Sequence, residues 1–288
     1  MHIQIAIRVL GILMMMFSIT MLPPIIVSLI YQDGIEVIFL RALAITFAVG
    51  FFLWLTFHRY DADMRIKDGF LITVLYYFAL GIFGMLPFVD DQGPDLSVPD
   101  GLFESFSGLT TTGATVIVGL DQLPESILFY RQQLQWLGGM GIIVLAVAIL
   151  PMLGVGGMQL YRAETPGPVK DSKLTPRIKE TALALWSIYL GLTSICAAAY
   201  WVAGMTLFDA ICHSFSTIAI GGFSTHDASI GYFDSAMIES IAIFFMALAG
   251  INFGLHFFAF KDGSPRVYFR DDEVKFYLAI LLVASSVV

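Results

Sequence analysis

The chain of 288 residues is strongly apolar, since 58% of its residues are hydrophobic and only 13% are charged. A soluble domain cannot hide that much apolar surface, so the composition excludes a soluble protein and indicates an integral membrane protein. The net charge of -8 argues against nucleic acid as a partner.

Apolar runs of roughly 20 residues are long enough to cross a hydrocarbon core of about 30 Å. Such runs lie at about 3–31, 35–57, 69–89, 126–154, 181–205 and 235–260. A seventh run begins near residue 274 and is still apolar at Val288. Because a natural protein rarely ends inside a span, this pattern predicts that the chain is the N-terminal portion of a longer protein.

The placement of Lys and Arg predicts the orientation of the chain in the membrane. Of the 15 cationic residues, 12 lie in the segments 58–68, 161–180 and 261–275. If the runs cross in alternation, all three segments fall on one side, which the positive-inside rule makes cytoplasmic together with the N-terminus. The opposite loops are acidic, which either raises the local cation concentration or merely keeps the outer surface soluble.

Two stretches 109 residues apart share one short polar pattern. They are residues 100–115 and 209–224, and each contains Asp, then Ser-Phe-Ser, then a glycine at Gly113 or Gly222. Each stretch lies between two apolar runs, and both units begin and end on the same side, so they are parallel repeats. A helix, a short dip ending in Gly and a second helix are the plan of an ion pore lined by backbone carbonyls.

The predicted fold class is therefore an all-α integral membrane protein, with repeated helix–pore loop–helix units behind a leading pair of transmembrane helices. The leading pair occupies 1–68 and the first unit 69–160. A Gly- and Pro-containing cytoplasmic linker at 161–180 precedes the second unit at 181–262. Residues 263–288 are predicted to be a cytoplasmic loop and the start of a third unit.

Each polar dip is too short to cross the bilayer. Residues 101–109 are predicted to form at most a nine-residue helix of roughly 13 Å, after which the chain must return to the outer side. Asp100 and Asp209 are predicted to cap the N-termini of the two short helices at the outer mouth. The helix C-termini then point toward the membrane centre, where their partial negative charge favours a cation.

The residues directly after each short helix are candidates for a selectivity filter. Glycine has no Cβ and adopts positive φ, so successive carbonyls can turn toward one axis and replace the water around a dehydrated cation. We predict that Gly113 and Gly222 allow this geometry. The predicted ion-facing carbonyls are those of Thr111, Thr112, Ile220 and Gly221. The alternative is that both segments are small-residue helix-packing motifs without an ion.

Other polar residues have simpler interpretations. Glu104 and His213 occupy the same position of the two short helices and are predicted to bond to neighbouring backbone behind the filter, with a cation-binding carboxylate at Glu104 as the alternative. Arg131 and the glutamines that follow it open an apolar run near the interface and are predicted to snorkel or pack. No Walker motif, HExxH or nucleophile elbow is present in the sequence, so it does not predict an enzyme.

The stretch FESFSGLTTTGAT, with QLQWLGGMGIIVLAVAILPMLGVGG after it, resembles the bacterial Trk/Ktr/HKT superfamily of potassium transporters, and within it the TrkH-type subunits. The resemblance covers essentially the whole chain, including the leading helix pair and the YRAETPGP linker. It implies four helix–pore loop–helix units around one pore, of which this chain holds two and the start of a third. Each unit has a filter glycine, here Gly113 and Gly222, and a first-filter Gly is associated with potassium selectivity whereas members with Ser admit sodium.

The resemblance also implies partners and a function. These are a homodimer in the bacterial inner membrane and TrkA, a cytosolic nucleotide-binding regulatory subunit. The expected function is potassium uptake through a carbonyl-lined filter, with the ion moving down its electrochemical gradient and no cofactor. Two alternatives stay open, an ion-coupled (proton or sodium) secondary transporter and a non-conducting assembly subunit. The parallel orientation of the repeats counts against the inverted repeats of the first alternative.

Overall fold

The computed structural model describes residues 3–60, 66–139, 141 and 178–287, and within these ranges it is helical, which confirms the all-α class. The part before residue 140 contains α1 (Ile3–Ile19), α2 (Leu22–Tyr31), α3 (Glu36–Phe57), α4 (Ile66–Gly84), α5 (Leu86–Val89), α6 (Val98–Leu109) and α7 (Glu125–Gly139). The part after residue 177 contains α8 (Ile178–Val202), α9 (Leu207–Ala219), α10 (Ala236–Ala249), α11 (Phe253–Asp262), α12 (Arg266–Arg270) and α13 (Asp272–Val287).

Helices long and apolar enough to cross a membrane confirm four of the predicted spans. They are Ile3–Tyr31, Glu36–Phe57, Leu71–Val89 and Leu183–Val202. The first is divided into α1 and α2 just before Pro23 and Pro24, which lack the backbone N–H that would continue α1.

Two predictions extend beyond the described residues. The run at 126–154 is described as far as Gly139 and again at Gly141, and the linker at 161–180 is described from residue 178. The remainder of both lies outside the described ranges. The proposed division of the chain into units therefore stays a prediction.

The apolar run predicted as a span at 235–260 is divided by a sharp bend. Its two parts, α10 and α11, meet at an angle of 92°. Asn252 begins a new helix by accepting a hydrogen bond from the Gly254 N–H at 2.9 Å. His256 crosses the break, with Nε2 3.1 Å from the Leu248 carbonyl oxygen. Apolar sequence continues through this point, so hydropathy alone does not reveal the capping residue that ends the span.

Small residues bring the leading helices together. α1 and α3 cross at Gly11 and Gly50, where a Cβ on Gly11 would lie 2.6 Å from the Gly50 carbonyl oxygen and a Cβ on Gly50 2.7 Å from that of Gly11. Such close backbone approach is how helices gain packing contacts where lipid offers no hydrophobic driving force. α1 and α3 are therefore closely packed, and α1 also packs against α4.

Helix α7 holds the central position among the described helices because it packs against both short helices, α6 and α9. Two glycines at its C-terminal end allow this. A Cβ on Gly138 would lie 2.1 Å from the carbonyl oxygen of Leu109, the last residue of α6. A Cβ on Gly139 would lie 2.7 Å from the Cβ of Ala219, the last residue of α9. The ends of both short helices thus meet at α7.

Candidate functional site

The two short helices cannot cross a bilayer. α6 has 12 residues and α9 has 13, or about 18 and 20 Å at 1.5 Å per residue, against a hydrocarbon core of about 30 Å. The nine-residue helix predicted at 101–109 is three residues too short, because α6 already begins at Val98. A helix of 12 residues is still too short to cross the bilayer.

The prediction that Asp100 and Asp209 are N-caps is wrong by three residues. The caps are Ser97 and Thr206, whose hydroxyl oxygens accept the N–H of Asp100 at 3.3 Å and of Asp209 at 3.1 Å. Each hydroxyl also donates to Oδ2 of the same aspartate, at 2.6 Å in both helices. The aspartates therefore lie at the third helical position, where their charge still favours the positive helix end.

Both short helices end in the same backbone turn. A left-handed residue follows each helix, with φ of 54° at Thr111, two residues after the end of α6, and of 52° at Ile220, directly after the end of α9. The next N–H then bonds five residues back, from Thr112 to Ser107 at 2.9 Å and from Gly221 to Ser216 at 2.8 Å. This is the Schellman motif, which normally has Gly at the left-handed position. A β-branched residue there costs about 1–3 kcal/mol, and such strain is concentrated at functional sites.

The positive φ predicted for the filter glycines is present, at 75° for Gly113 and 86° for Gly222. Each segment begins with a left-handed residue and ends with a left-handed glycine, and the residue between them has no positive φ. The backbone therefore alternates in handedness. The two segments also touch. A Cβ on Gly113 would lie 1.9 Å from the Gly221 carbonyl oxygen, so only glycine fits at this contact.

The Gly221 carbonyl, which was predicted to face an ion, bonds to a side chain of α7. Its oxygen accepts a hydrogen bond from Gln135 Nε2 at 2.8 Å, and Gln135 Oε1 accepts the Phe223 N–H at 3.0 Å. This carbonyl therefore has a partner inside the protein, and a second lone pair remains on its oxygen. The ion-facing role predicted for it, like that of the Thr111, Thr112 and Ile220 carbonyls, stays a prediction.

Glu104 bonds behind the first filter segment, as predicted. It is fully buried, and its oxygens accept hydrogen bonds from Thr115 Oγ1 at 2.9 and 3.0 Å and from the Val116 N–H at 3.2 Å. Arg131 Nε and Nη2 each lie 2.7 Å from Glu104 Oε1. A carboxylate with so many donors around it is not available to a cation, so the alternative of a cation-binding Glu104 is wrong.

Of the two interpretations given for Arg131, snorkelling and packing, its full burial excludes snorkelling and agrees with packing. Besides Glu104, its guanidinium donates to Thr115 Oγ1 at 3.0 Å and to the Ser224 carbonyl oxygen at 3.1 Å. Its Cζ lies 4.3 Å from the ring centroid of Phe223. Arg131 thus contacts the segments that follow both filter glycines.

His213 occupies in α9 the place of Glu104 in α6, and it too bonds behind the filter, as predicted. Its Nδ1 lies 2.9 Å from the Asp209 carbonyl oxygen and its Nε2 2.9 Å from Ser224 Oγ. Ser224 is the residue that corresponds to Thr115 at the repeat offset. The same contact between short helix and returning chain is therefore made in both units with different side chains.

The loops that precede α7 and α10 are also joined. Asp227 Oδ1 accepts the N–H groups of Gly119 and Leu120, both at 3.1 Å. In the other direction, Asp121 of the first loop bonds to His226 of the second. The hydrogen bond from His226 lowers the pKa of the Asp121 carboxyl below its ordinary value.

The geometry is that of two short helices whose ends, filter segments and outer loops are held against each other. A family model described as "TrkH: Cation transport protein" matches residues 35–288. The chain belongs to the TrkH family. This is a transport family and not an enzyme family, in agreement with the sequence prediction.

Relatives of the TrkH family cover almost all of this chain. The Trk system potassium uptake protein TrkH of Vibrio parahaemolyticus is 58% identical over 97% of the chain and 58% of its own length. The protein of the same name from Halomonas elongata is 58% identical over 100% of the chain and 60% of its own length. Trk system potassium uptake protein TrkG of Escherichia coli is 42% identical over 98% of the chain and 58% of its own length. The chain thus spans about three fifths of these relatives.

A solved structure carries the same fold. The crystal structure of the potassium transporter TrkH from Vibrio parahaemolyticus aligns with a TM-score of 0.85 at 53% identity. The alignment covers 98% of this chain and 57% of that one. The helical architecture described above is therefore the architecture of the corresponding part of a TrkH-family transporter.

Sequence reasoning missed two residues of the site in this TrkH-family chain, Arg131 and Gln135. One available signal was their spacing, because residues four apart share a helix face. A second signal was that Arg131 is a cation inside an apolar run, while the short helix before it carries a charge of opposite sign at Glu104. Neither signal shows that the helix faces two filter segments at once, which depends on the packing of α7 between α6 and α9.

Proposed function

We propose that the segments 98–113 and 207–222 form two quadrants of a potassium-selective pore, with potassium as the transported ion and no cofactor. The observation that carries this proposal is the contact between the segments, where Gly113 has room for the Gly221 carbonyl oxygen only because it lacks a Cβ. Two helix C-termini converge at α7 beside this contact, and their partial negative charges favour a cation.

The chemistry follows from the backbone. Alternating handedness at Thr111–Gly113 and Ile220–Gly222 lets carbonyl oxygens take the place of the water around a dehydrated ion. We assign this role to the carbonyls of Thr111, Thr112 and Ile220, with Gly113 and Gly222 providing the geometry. Carbonyls bind the ion without adding a fixed charge that would hold it, so the ion can leave the filter again. In this proposal it moves down its electrochemical gradient.

The choice of potassium and the partners are supported by the relatives. Their names, Trk system potassium uptake proteins, assign potassium uptake to those proteins, and we extend it to this chain. The whole pore would then contain two further units, as the resemblance to the superfamily implies. A homodimer that works with the regulatory subunit TrkA completes the proposal.

We place the protein in the bacterial inner membrane as a multi-pass protein with a cytoplasmic N-terminus. Four helices of sufficient length and apolarity support a multi-pass arrangement, and the clustering of 12 of 15 cationic residues in three alternate loops supports the orientation. The acidic outer loops, joined through Asp121 and Asp227, then face the side from which potassium enters.

The test is rubidium uptake into liposomes that contain the whole protein carrying Gly113→Ala. The added methyl would meet the Gly221 carbonyl oxygen at 1.9 Å, so the filter segments must separate. We expect uptake to fall by about tenfold or more, the equivalent of ~1.4 kcal/mol.

The matched control is Gly34→Ala. Gly34 has a similar φ of 78° but lies in a loop with nothing within 4 Å of an added Cβ. It therefore carries the same backbone strain without the contact, and uptake should stay near that of the parent protein. Uptake that is unaffected by changes at both Gly113 and Gly222 would exclude the filter and favour a non-conducting subunit.

A further inference from the structure

We propose that Arg131 and Gln135 of α7, with Glu104 as the counter-charge, are positioning residues that fix the two filter segments relative to each other and thereby set the preference for potassium over sodium. This inference rests on the proposed function and names the side chains on which the selectivity of that site depends. None of the three touches the ion, since all are fully buried behind the filter.

The first step is that one helix face reaches both segments. Arg131 and Gln135 are four residues apart and so lie one above the other on α7. Arg131 bonds to Thr115 behind the first filter and to the Ser224 carbonyl behind the second, at 3.0 and 3.1 Å. Any change in the separation of the two segments must therefore break one of these bonds.

The second step concerns Gln135. Its amide makes two bonds to the second filter segment, Nε2 to the Gly221 carbonyl at 2.8 Å and Oε1 from the Phe223 N–H at 3.0 Å. These bonds fix the peptide units on both sides of Gly222. They also direct the Gly221 carbonyl toward Gly113, because that oxygen is the one that an added Cβ on Gly113 would meet. Gln135 therefore sets the contact point of the two quadrants.

The third step is the chemistry of the ion pair. A buried ion pair is a weak source of stability, because apolar residues of the same size are often as stable. The guanidinium fork, however, has donors in a fixed plane and so imposes geometry on several acceptors at once. A free positive charge behind a cation filter would also repel the ion, and Glu104 neutralises it at 2.7 Å.

Two described helices, α7 and α10, follow a filter segment, and only α7 carries this arrangement of side chains. At the repeat offset, Arg131 corresponds to Ser240 and Gln135 to Phe244 of α10. Phe244 is apolar and exposed in this structure, and Ser240 donates to its own helix at the Ala236 carbonyl. The second outgoing helix therefore carries no equivalent pair, and a selectivity defect from this face is expected only for α7.

The chain offers a matched pair of variants for the test, Gln135→Leu and Gln132→Leu. Both glutamines are fully buried on α7, but the side chain of Gln132 has no hydrogen-bond partner among the described residues. The whole protein is purified, and its thermal unfolding is measured in potassium and in sodium. An ion that binds the native filter raises the unfolding temperature, so the difference between the two salts reports selective binding without requiring transport.

We expect the parent protein and Gln132→Leu to be stabilised more by potassium than by sodium. In Gln135→Leu the difference should largely disappear, and in liposomes the rubidium-to-sodium uptake ratio should fall by about tenfold. Arg131→Lys keeps the charge that Glu104 neutralises but loses the fork, so it should show the same loss of discrimination. A merely structural role would lower the unfolding temperature equally in both salts.

Potassium discrimination that persists in folded Gln135→Leu and Arg131→Lys, at the level of Gln132→Leu, would overturn the inference. It would leave the proposed function intact if Gly113→Ala still abolishes uptake. If Gly113→Ala is also without effect, the filter itself is excluded. Should Gln135→Leu not fold, Gln135→Met, which retains the shape of the side chain, takes its place in the same comparison.

Discussion

The first and second filter segments have nearly the same backbone and different surroundings. Both follow a short helix closed by a Schellman motif, and both contain a left-handed β-branched residue and a left-handed glycine. Behind the first segment stands a buried ion pair, Glu104 with Arg131, whereas behind the second stands His213 with a serine hydroxyl. The comparison teaches that the two segments share one helix-end geometry, while the side chains behind them differ according to what the neighbouring helix supplies.

The largest difference should be found between the filter glycines. Gly113 faces a carbonyl oxygen of the other segment, whereas an added Cβ on Gly222 has nothing within 4 Å. Both positions carry the cost of a left-handed L-residue, about 1–2 kcal/mol, and Gly113→Ala adds the clash. Rubidium uptake should therefore fall much further in Gly113→Ala than in Gly222→Ala. Equal losses would show that backbone strain, and not the contact between quadrants, limits the filter.

The next difference concerns two buried anchors, Glu104 behind the first segment and His213 behind the second. Glu104→Gln leaves the guanidinium of Arg131 buried without its counter-charge, which costs about 3–5 kcal/mol. His213→Gln exchanges one polar group for another and should cost about 1 kcal/mol. The free energy of unfolding in detergent measures both. Similar losses for the two variants would contradict the view that only the first anchor is electrostatic.

A smaller effect is expected at the left-handed β-branched residue that both segments contain, which is Thr111 in the first segment. Thr111 is left-handed and its neighbour Thr112 has no positive φ, so Thr111→Gly removes strain. Thr112→Gly adds backbone freedom and also removes the contact of its hydroxyl with Thr110 Oγ1 at 2.8 Å. Thr111→Gly should raise stability by up to about 1 kcal/mol, and Thr112→Gly should lower it by about 0.5–1 kcal/mol. Thermal unfolding of the two variants side by side checks the signs, and a loss in both would mean that Thr111 is unstrained.

The smallest effect concerns the outer loops. His226 lowers the pKa of Asp121, so this carboxylate contributes stability above its ordinary value of 3.8, and the contribution is lost as pH falls through the lower pKa in the folded protein. Asp121→Asn should therefore be less stable than the parent protein above about pH 4, and the gap should close at lower pH. Unfolding measured across that range checks this, and a gap of constant size would contradict it.

The features that the sequence could predict are those carried by composition and by short-range pattern. Four spans and the positive φ of Gly113 and Gly222 follow from apolar length and from the need of the chain to turn after a short helix. The N-cap position was missed because Asp100 at the third helical position and Asp at the cap look alike without the contact of Ser97. The error at the N-cap and the successes at the spans and the two glycines all depend on residues that are close together in the sequence.

The partners of Arg131 and of the Gly221 carbonyl were missed because they are far away in the sequence. The role of Arg131 depends on partners 27 and 93 residues away, and the partner of the Gly221 carbonyl is 86 residues away. No periodicity within one helix reveals such pairs. The bend between α10 and α11 was missed for a different reason, because the polar signal at Asn252 is a single residue inside apolar sequence.

The 93 residues that separate Arg131 from the Ser224 carbonyl also have a consequence for biogenesis. When α7 leaves the ribosome, the second loop has not yet been synthesised, so one arm of the guanidinium has no acceptor while it enters the bilayer. Glu104, which precedes it in the chain, is already present to neutralise the charge. The bonds of Arg131 to the first loop can therefore form before its bond to the second, so the buried network is completed only after residue 224 has been made.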